Sequence, residues 1–512
     1  MQGVLGRVVR RLAVVVGLLT ISQPPAAAAP AKTLVVALPA DPGTLDPLTS
    51  FVGAVELQAH VYRRLYAFTP AMVPEPDLVA SDRVSADLRT WTLELKRNVT
   101  FFDGTPVNAA AVKYSLDRLL DPARSSTRTA LVRPIKEIRI KGEHVVEIET
   151  HEPFASLKHN LAHQVGGIIS PRADRELGVR FGRAPVSAGP YMVSDWASGD
   201  RIVLTRFADY QGPRPYYDQL VFRIVPAPET RLAMLERGEA QVAVRMPPTV
   251  TRVAAGHPDL QVLRIEGTAL YYFWLHLDRP PMNDLRVRRA VNLAVDREAL
   301  IEKVALGAAS PARTVMERLI RHSCPVGTLT YEPDEARRLL REAGAVGTRL
   351  RMLASDGIFD LDRPLAEAVA GYLRDVGLTT EIRPISDAAA FSEIVAKRDA
   401  HLGLLPFSGA TADPDQYLKR QLWGPIAGQL FNLAGYRNPR VDALIAQGAR
   451  TFPDAERARI YCEVQRLVWQ DWPWLILFRQ DGATVARSDV TGIEVYVNSQ
   501  ASVFSRARPA GM

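Results

Sequence analysis

Residues 350–354 (LRMLA) read as a short strand. Residues 365–376 repeat apolar positions at helical spacing up to Gly377, and residues 379–383 form a second short strand. A strand, a helix and a strand in that order point to an α/β fold with parallel strands, because the helix must bury its apolar stripe on the sheet it returns to. The first half follows the same logic. Residues 34–38 (LVVAL) read as a buried strand before the turn signals Pro39, Asp41, Pro42 and Gly43. Residues 90–95 (TWTLEL) alternate as a half-buried strand does, and Asp103-Gly104 marks a hairpin-type turn. Asn108 is a good N-cap for a helix to Leu120, with Val112, Ser115, Leu116 and Leu119 on one face. Further strands are expected over 135–140, 144–150, 201–206, 220–225 and 241–245, and a helix over 230–236. A second set of elements begins near Ala269. Residues 270–277 (LYYFWLHL) form an apolar strand broken by Pro280 and Pro281, and 287–305 read as one long helix. Pro333 opens a helix with Ala336, Leu339, Leu340 and Ala343 at helical spacing, closed by Gly344. A helix over 455–471 and a strand over 474–479 follow.

The chain has 512 residues, enough for two to four domains. Its first thirty do not share this pattern. Arg7, Arg10 and Arg11 give a basic start, residues 12–21 are apolar but too short to span a bilayer, and 26–29 are four alanines. Residues 1–31 are therefore expected to be a secretory signal peptide cleaved between Ala28 and Ala31. No cysteine lies near that point, so lipidation is not expected. The 63 basic and 56 acidic residues give +7, and loss of the three leader arginines leaves +4. Fifty-four of the basic residues are arginine and nine are lysine, and none cluster as a nucleic-acid-binding patch would. Two cysteines, Cys324 and Cys462, exclude a disulfide scaffold and a cysteine-only metal site. They could pair in an oxidising compartment, but sequence does not show whether their Cβ atoms approach.

Several motifs occur in a fixed order. Thr44-Leu45-Asp46-Pro47 follows the first strand, and Val61-Tyr62 and Leu65-Tyr66 follow that. Thr90-Trp91-Thr92 leads to Val99, Asp103-Gly104 and Pro106. Ala188-Gly189-Pro190-Tyr191 precedes Trp196 and Gly199. Pro280-Pro281 precedes Val287-Arg288-Arg289-Ala290 and Ala294-Val295-Asp296-Arg297, and Asp471, Pro473 and Trp474 come late. From about residue 34 to 497 this order resembles the family-5 extracytoplasmic solute-binding proteins, the peptide- and nickel-type receptors of ABC importers. The resemblance implies an α/β fold of the two-lobed periplasmic-binding-protein type, large peptide-receptor class. It places lobe I over 32–268 plus 486–512, with an inserted subdomain at about 67–183, and lobe II over 269–485. Hinge crossings are expected near 267–271 and 485–488.

The resemblance also suggests where a ligand would lie. Residues 406–415 (PFSGATADPD) are similar to the family's cleft-lining segment, with Phe407 at its aromatic position and Ser408, Gly409, Ala410 and Asp413 along it. Peptide receptors hold the ligand's α-amino group with an aspartate at the position of Ala410, so binding of ordinary peptides loses its usual anchor. Asp413 also reads as a cap for its own turn. Arg245 and Met246 end a strand where clefts form in open sheets, and Arg245 could clamp an anion. Tyr271 and Phe273 should share one strand face, Tyr272 and Trp274 the other. His159 and His163 stand four apart, but the glutamate of a zinc-protease motif is missing and the pair belongs to the inserted subdomain, away from the expected cleft. No metal, cofactor or catalytic residue is expected, and no nucleophile elbow, phosphate loop or dinucleotide fingerprint occurs.

These features predict a monomeric, periplasmic receptor that closes on a peptide or peptide-like solute and delivers it to an ABC permease in the inner membrane. Two other readings stay open. One is the same fold for a metal complex, haem, an opine or a sugar-derived solute. The other is a periplasmic chaperone or sensory partner.

Overall fold

Two strands far longer than their sequence pattern suggests organise the molecule. Leu260–Leu275 spans 16 residues and Trp474–Arg487 spans 14. They pair antiparallel, with a register shift between Tyr271 and Tyr272, in two blocks, Leu260–Ile265 with Gly482–Arg487 and Ala269–Trp274 with Trp474–Gln480, separated by a bulge. Gly267 sits in that bulge at φ 66, a conformation favouring glycine, and its N–H donates to the Asp481 carboxylate at 2.9 Å. The computed structural model describes residues 31–48, 52–124, 129–316, 318–355, 361–385, 399–426, 431–496 and 502–512. All but the last residue of the expected leader lies outside them.

One sheet runs through both halves. From edge to edge its order is Thr379–Ile385, Arg349–Ser355, Leu402–Phe407, Leu260–Leu275, Trp474–Arg487, Val242–Ala243, Thr33–Leu38, Gln219–Ile224, Arg201–Arg206 and Tyr191–Ala197, with Ala309–Pro311 pairing on Trp474–Arg487. The β-α-β unit read from the sequence is present, its strands Arg349–Ser355 and Thr379–Ile385 parallel and joined by the helix Asp362–Asp375. The two long strands are antiparallel to their neighbours, so the sheet is mixed. Tyr271 and Phe273 enter the core on one face, and Leu270, Tyr272 and Trp274 the core on the other, as alternation requires. A separate antiparallel sheet, Val79–Val84, Thr90–Leu95, Val145–Thr150 and Ile135–Gly142, packs with the helix Ala109–Leu120 around its own core. Asn108 caps that helix by accepting from the Ala111 N–H at 3.1 Å.

The helix expected over 287–305 is two helices, Leu285–Leu293 and Arg297–Lys303. The break has a local cause. Asp296 is extended and its carboxylate accepts from the Ala299 N–H at 3.0 Å, while the buried Arg297 guanidinium donates to the carbonyls of Asn292, Val295 and Ile476. The strand expected over 241–245 is confined to Val242–Ala243, and Arg245 beyond it has φ 54. Cys324 and Cys462 form a disulfide with Cα atoms 5.7 Å apart, tying the loop before Pro333 to the helix Asp454–Asp471. Among the described residues no helix is long and apolar enough to cross a membrane.

Candidate functional site

The strand Leu402–Phe407 ends beside the central bulge, with Phe407 opposite Leu270 and Pro406 opposite Tyr271. Its pairing fixes where the following loop begins. Phe407 is buried edge-on against Tyr417, ring centroids 5.2 Å apart, and near Phe431 at 6.2 Å. The Arg420 guanidinium lies 3.7 Å from the Phe431 ring centre and 5.6 Å from that of Phe407. Ser408 and Ala410 are half-buried. Gly409 is closely packed, and a Cβ there would meet the end of the Ile320 side chain at 2.7 Å, so that side chain would have to shift.

Asp413 ends the loop. Its Oδ1 accepts from the Asp415 N–H at 2.9 Å, which starts the helix Pro414–Leu422. The same carboxylate is the centre of a buried cluster. Arg457 donates to its two oxygens at 2.7 and 2.8 Å, and Ser156 donates to Oδ1 at 2.8 Å. Arg457 also donates to Ser156 at 2.8 Å. Burial alone would raise the Asp413 pKa, but Arg457 outweighs it and holds the carboxyl well below its ordinary value. His159 Nδ1 stands 3.8 Å from Asp413, and burial pushes that imidazole's pKa down. The histidine pair is thus not remote from the 406–415 segment, as the sequence reading had it. His159 borders its end, while His163 terminates the helix Leu157–Ala162 and accepts from the Val165 N–H at 3.1 Å. Among the described residues no group of three or more His, Cys, Asp or Glu side chains is placed to hold a metal ion.

The other candidates are dispersed. Arg245 donates to Glu56 through Nε at 2.9 Å and Nη2 at 3.4 Å. Glu56 is fully buried in the helix Val55–Val61, and that burial, opposed by Arg245, raises its pKa. Met246 is buried with Ala37, Leu235 and Val485. Tyr271 stacks on Phe478 at 5.6 Å within the core.

A feature not read from the sequence lies close by. A pocket of about 370 Å³ is lined by Tyr62, Arg64, Phe68, Tyr210, Tyr496 and Arg506, among others. It opens where the end of the helix Val55–Val61 meets the strand pair Tyr66–Phe68 and Pro74–Pro76 and the C-terminal strands. Phe68 and Tyr496 also pack around Met72 and Ala412, so the pocket wall adjoins the 407–413 loop. The sequence signal was the Arg63-Arg64 pair directly after Val61-Tyr62, whose neighbours only tertiary structure supplies.

Comparison with known proteins gives the context. The family model for bacterial extracellular solute-binding proteins, family 5, matches residues 73–425. The glutathione-binding protein GsiB of Escherichia coli K12 is 30% identical over 472 residues, covering 90% of this chain and 92% of that one. The structure of NikA from Brucella suis in complex with Fe(III)-EDTA superposes with a TM-score of 0.85 at 23% identity, over 93% of this chain and 99% of that one. A dipeptide-binding protein from Pseudoalteromonas sp. SM9913 in complex with Met-Leu gives 0.82 at 23% identity, over 93% and 100%.

Proposed function

The chain belongs to family 5 of the bacterial extracellular solute-binding proteins, and from that premise we propose that it is the periplasmic receptor of an ABC importer. It captures a small peptide-like solute between its lobes and hands it, chemically unchanged, to a membrane permease. Closure bends the two long strands at the bulge between Ile265 and Ala269, where ladder pairing is interrupted and Gly267 meets Asp481. A ligand that touches both lobes only when they are together shifts the population to the closed form.

One observation carries this reading: the Ser156–Asp413–Arg457 cluster. Ser156 belongs to the part of the chain expected as the inserted subdomain of the first lobe, and Asp413 and Arg457 to the second. It is an apposition of the kind that closure creates. The ligand's chemistry follows from the loop. Ala410 offers no carboxylate to a ligand ammonium, which supports a peptide-like compound whose amine is blocked, remote or absent. It equally supports the second reading, a non-peptide solute in the same fold.

A thermal-shift panel on the chain from residue 32 tests this, with free-amine peptides, N-blocked peptides, glutathione, opines, sugars, haem and nickel chelates. One class should raise the midpoint and be recovered unaltered. Stabilisation by free-amine peptides alone would overturn the role given to Ala410. Turnover of the stabilising compound would overturn the receptor reading.

A further inference from the structure

The pocket beside the 407–413 loop contains an arginine with a buried side-chain N–H that no described residue accepts. Arg63 and Arg64 are adjacent but differently used. Arg63 donates from Nε to Asp77 Oδ1 at 2.8 Å and from Nη2 to the Asp77 carbonyl at 2.7 Å. The other Asp77 oxygen accepts the Arg64 backbone N–H at 2.8 Å. Arg506, on the C-terminal side, pairs with Glu494 at 2.7 Å, and Tyr496 donates to that same glutamate at 3.2 Å. Glu75 at the rim is exposed.

The Arg64 guanidinium is left over. Among the described residues its buried Nε has no hydrogen-bond partner, and no carboxylate stands within ion-pair distance of the guanidinium. A buried N–H left unanswered is costly, and proteins keep such groups where a ligand answers them. Burial lowers its pKa, against the opposing influence of Asp77 and Tyr496. Phe68, Tyr62, Tyr210 and Tyr496 supply aromatic walls around it.

We propose that Arg64 is the carboxylate seat of the ligand site, and that the solute is an acid whose apolar part lies against Phe68 and Tyr496. This rests on the receptor reading above and narrows it. Specificity is for the ligand's anion, through the planar fork of an arginine, with no acidic partner at Ala410 for a ligand ammonium. Arg245 has no part in this, because its charge is matched by Glu56.

The test uses the chain from residue 32 and a mixed library of N-acetyl dipeptides in two forms, with free carboxylates and with the same carboxyls amidated. The acid library should raise the thermal midpoint and the amide library should not. Arg64→Gln should weaken the response to the acids tenfold or more, and Arg64→Lys should restore part of it. Without ligand, Arg64→Gln should melt at or above the wild-type midpoint, because a partly buried cation with an unanswered N–H has been removed. If Arg64→Gln melts several degrees lower without ligand, Arg64 is a structural cation and the proposal fails. If acids and amides stabilise equally, or Arg64→Gln responds as wild type does, the seat is elsewhere while the receptor reading stands. If neither library stabilises, the peptide-like reading fails and the proposal falls with it.

Discussion

Asp413 shows how a side chain in a cleft segment can serve the protein rather than a ligand. Its two oxygens are taken by Arg457, Ser156 and the Asp415 N–H, and the residue is fully buried. Asp413→Ala would strand the buried Arg457, and removing one partner of such a pair costs about 3–5 kcal/mol. Chemical denaturation should show that loss, and a combined Asp413→Leu, Arg457→Met variant should recover much of it. Full stability of the single variant would mean that water reaches Arg457 freely. His60 carries a second prediction. Its Nε2 accepts from the Phe504 N–H at 2.8 Å, so Nδ1 bears the proton and donates to the Glu56 carbonyl, while Tyr191, Phe222 and Phe504 surround the ring. Burial lowers its pKa to about 4. The unfolded chain takes up this proton near pH 6.5, the folded chain near 4, so stability falls as pH drops through that window, by up to about 1.4 kcal/mol per pH unit. His60→Gln should flatten the slope of midpoint against pH between 6.5 and 4. An unchanged slope would show that His60 titrates normally. Partners of this kind were not legible in the sequence. Glu56 lies 189 positions from Arg245, and Ser156 lies 257 from Asp413. Only the fold brings them together.

Elements were legible where local chemistry decides them. Asn108 and its helix, the strands Thr90–Leu95 and Arg201–Arg206, and the parallel pair around Asp362–Asp375 stand close to where alternation and capping put them. The failures have physical causes. Residues 260–269 (LQVLRIEGTA) contain Arg264, Glu266 and Gly267 and lack a clean alternation, yet they form the first half of a strand because Gly482–Arg487 supplies the ladder. The apolar period through 287–305 continues across Asp296, whose cap overrides it. Asp296→Ala should therefore cost about 1 kcal/mol, the usual value of an N-cap, and a neutral result would mean the break is imposed from elsewhere. The disulfide is the stronger element-scale device, closing a loop of 138 residues. On the chain-entropy account a loop of this length is worth roughly 4–5 kcal/mol. Cys324→Ser with Cys462→Ser should lower the denaturation midpoint by a corresponding amount, and treatment of the wild type with a reductant should reproduce it. If the double variant were as stable as wild type, the loop would already be ordered by its packing on the helix Asp454–Asp471.

At the scale of the whole molecule, the contact at Ser156 is one of several that join the part of the chain expected as the inserted subdomain to the part expected as the second lobe. The Ala155 N–H donates to the Ala449 carbonyl at 2.9 Å, Trp91 faces Phe452 with centroids 6.0 Å apart, and Arg450 pairs with Glu152 at 3.1 Å. On the closure proposed above, these contacts and the ligand should act on a single equilibrium between open and closed forms. Ser156→Asp separates the possibilities. In the closed form it sets a second carboxylate against Asp413 in a desolvated cluster, whereas in an open form the new charge would be hydrated. The variant should keep the wild-type midpoint within a degree or two without ligand, show a larger radius of gyration in X-ray scattering, and bind the stabilising solute at least tenfold more weakly. A loss of about 1.4 kcal/mol in closure is enough for that factor. If its midpoint instead fell by many degrees at unchanged radius, the subdomain and the second lobe would be permanently joined, and capture would have to occur by opening elsewhere in the molecule.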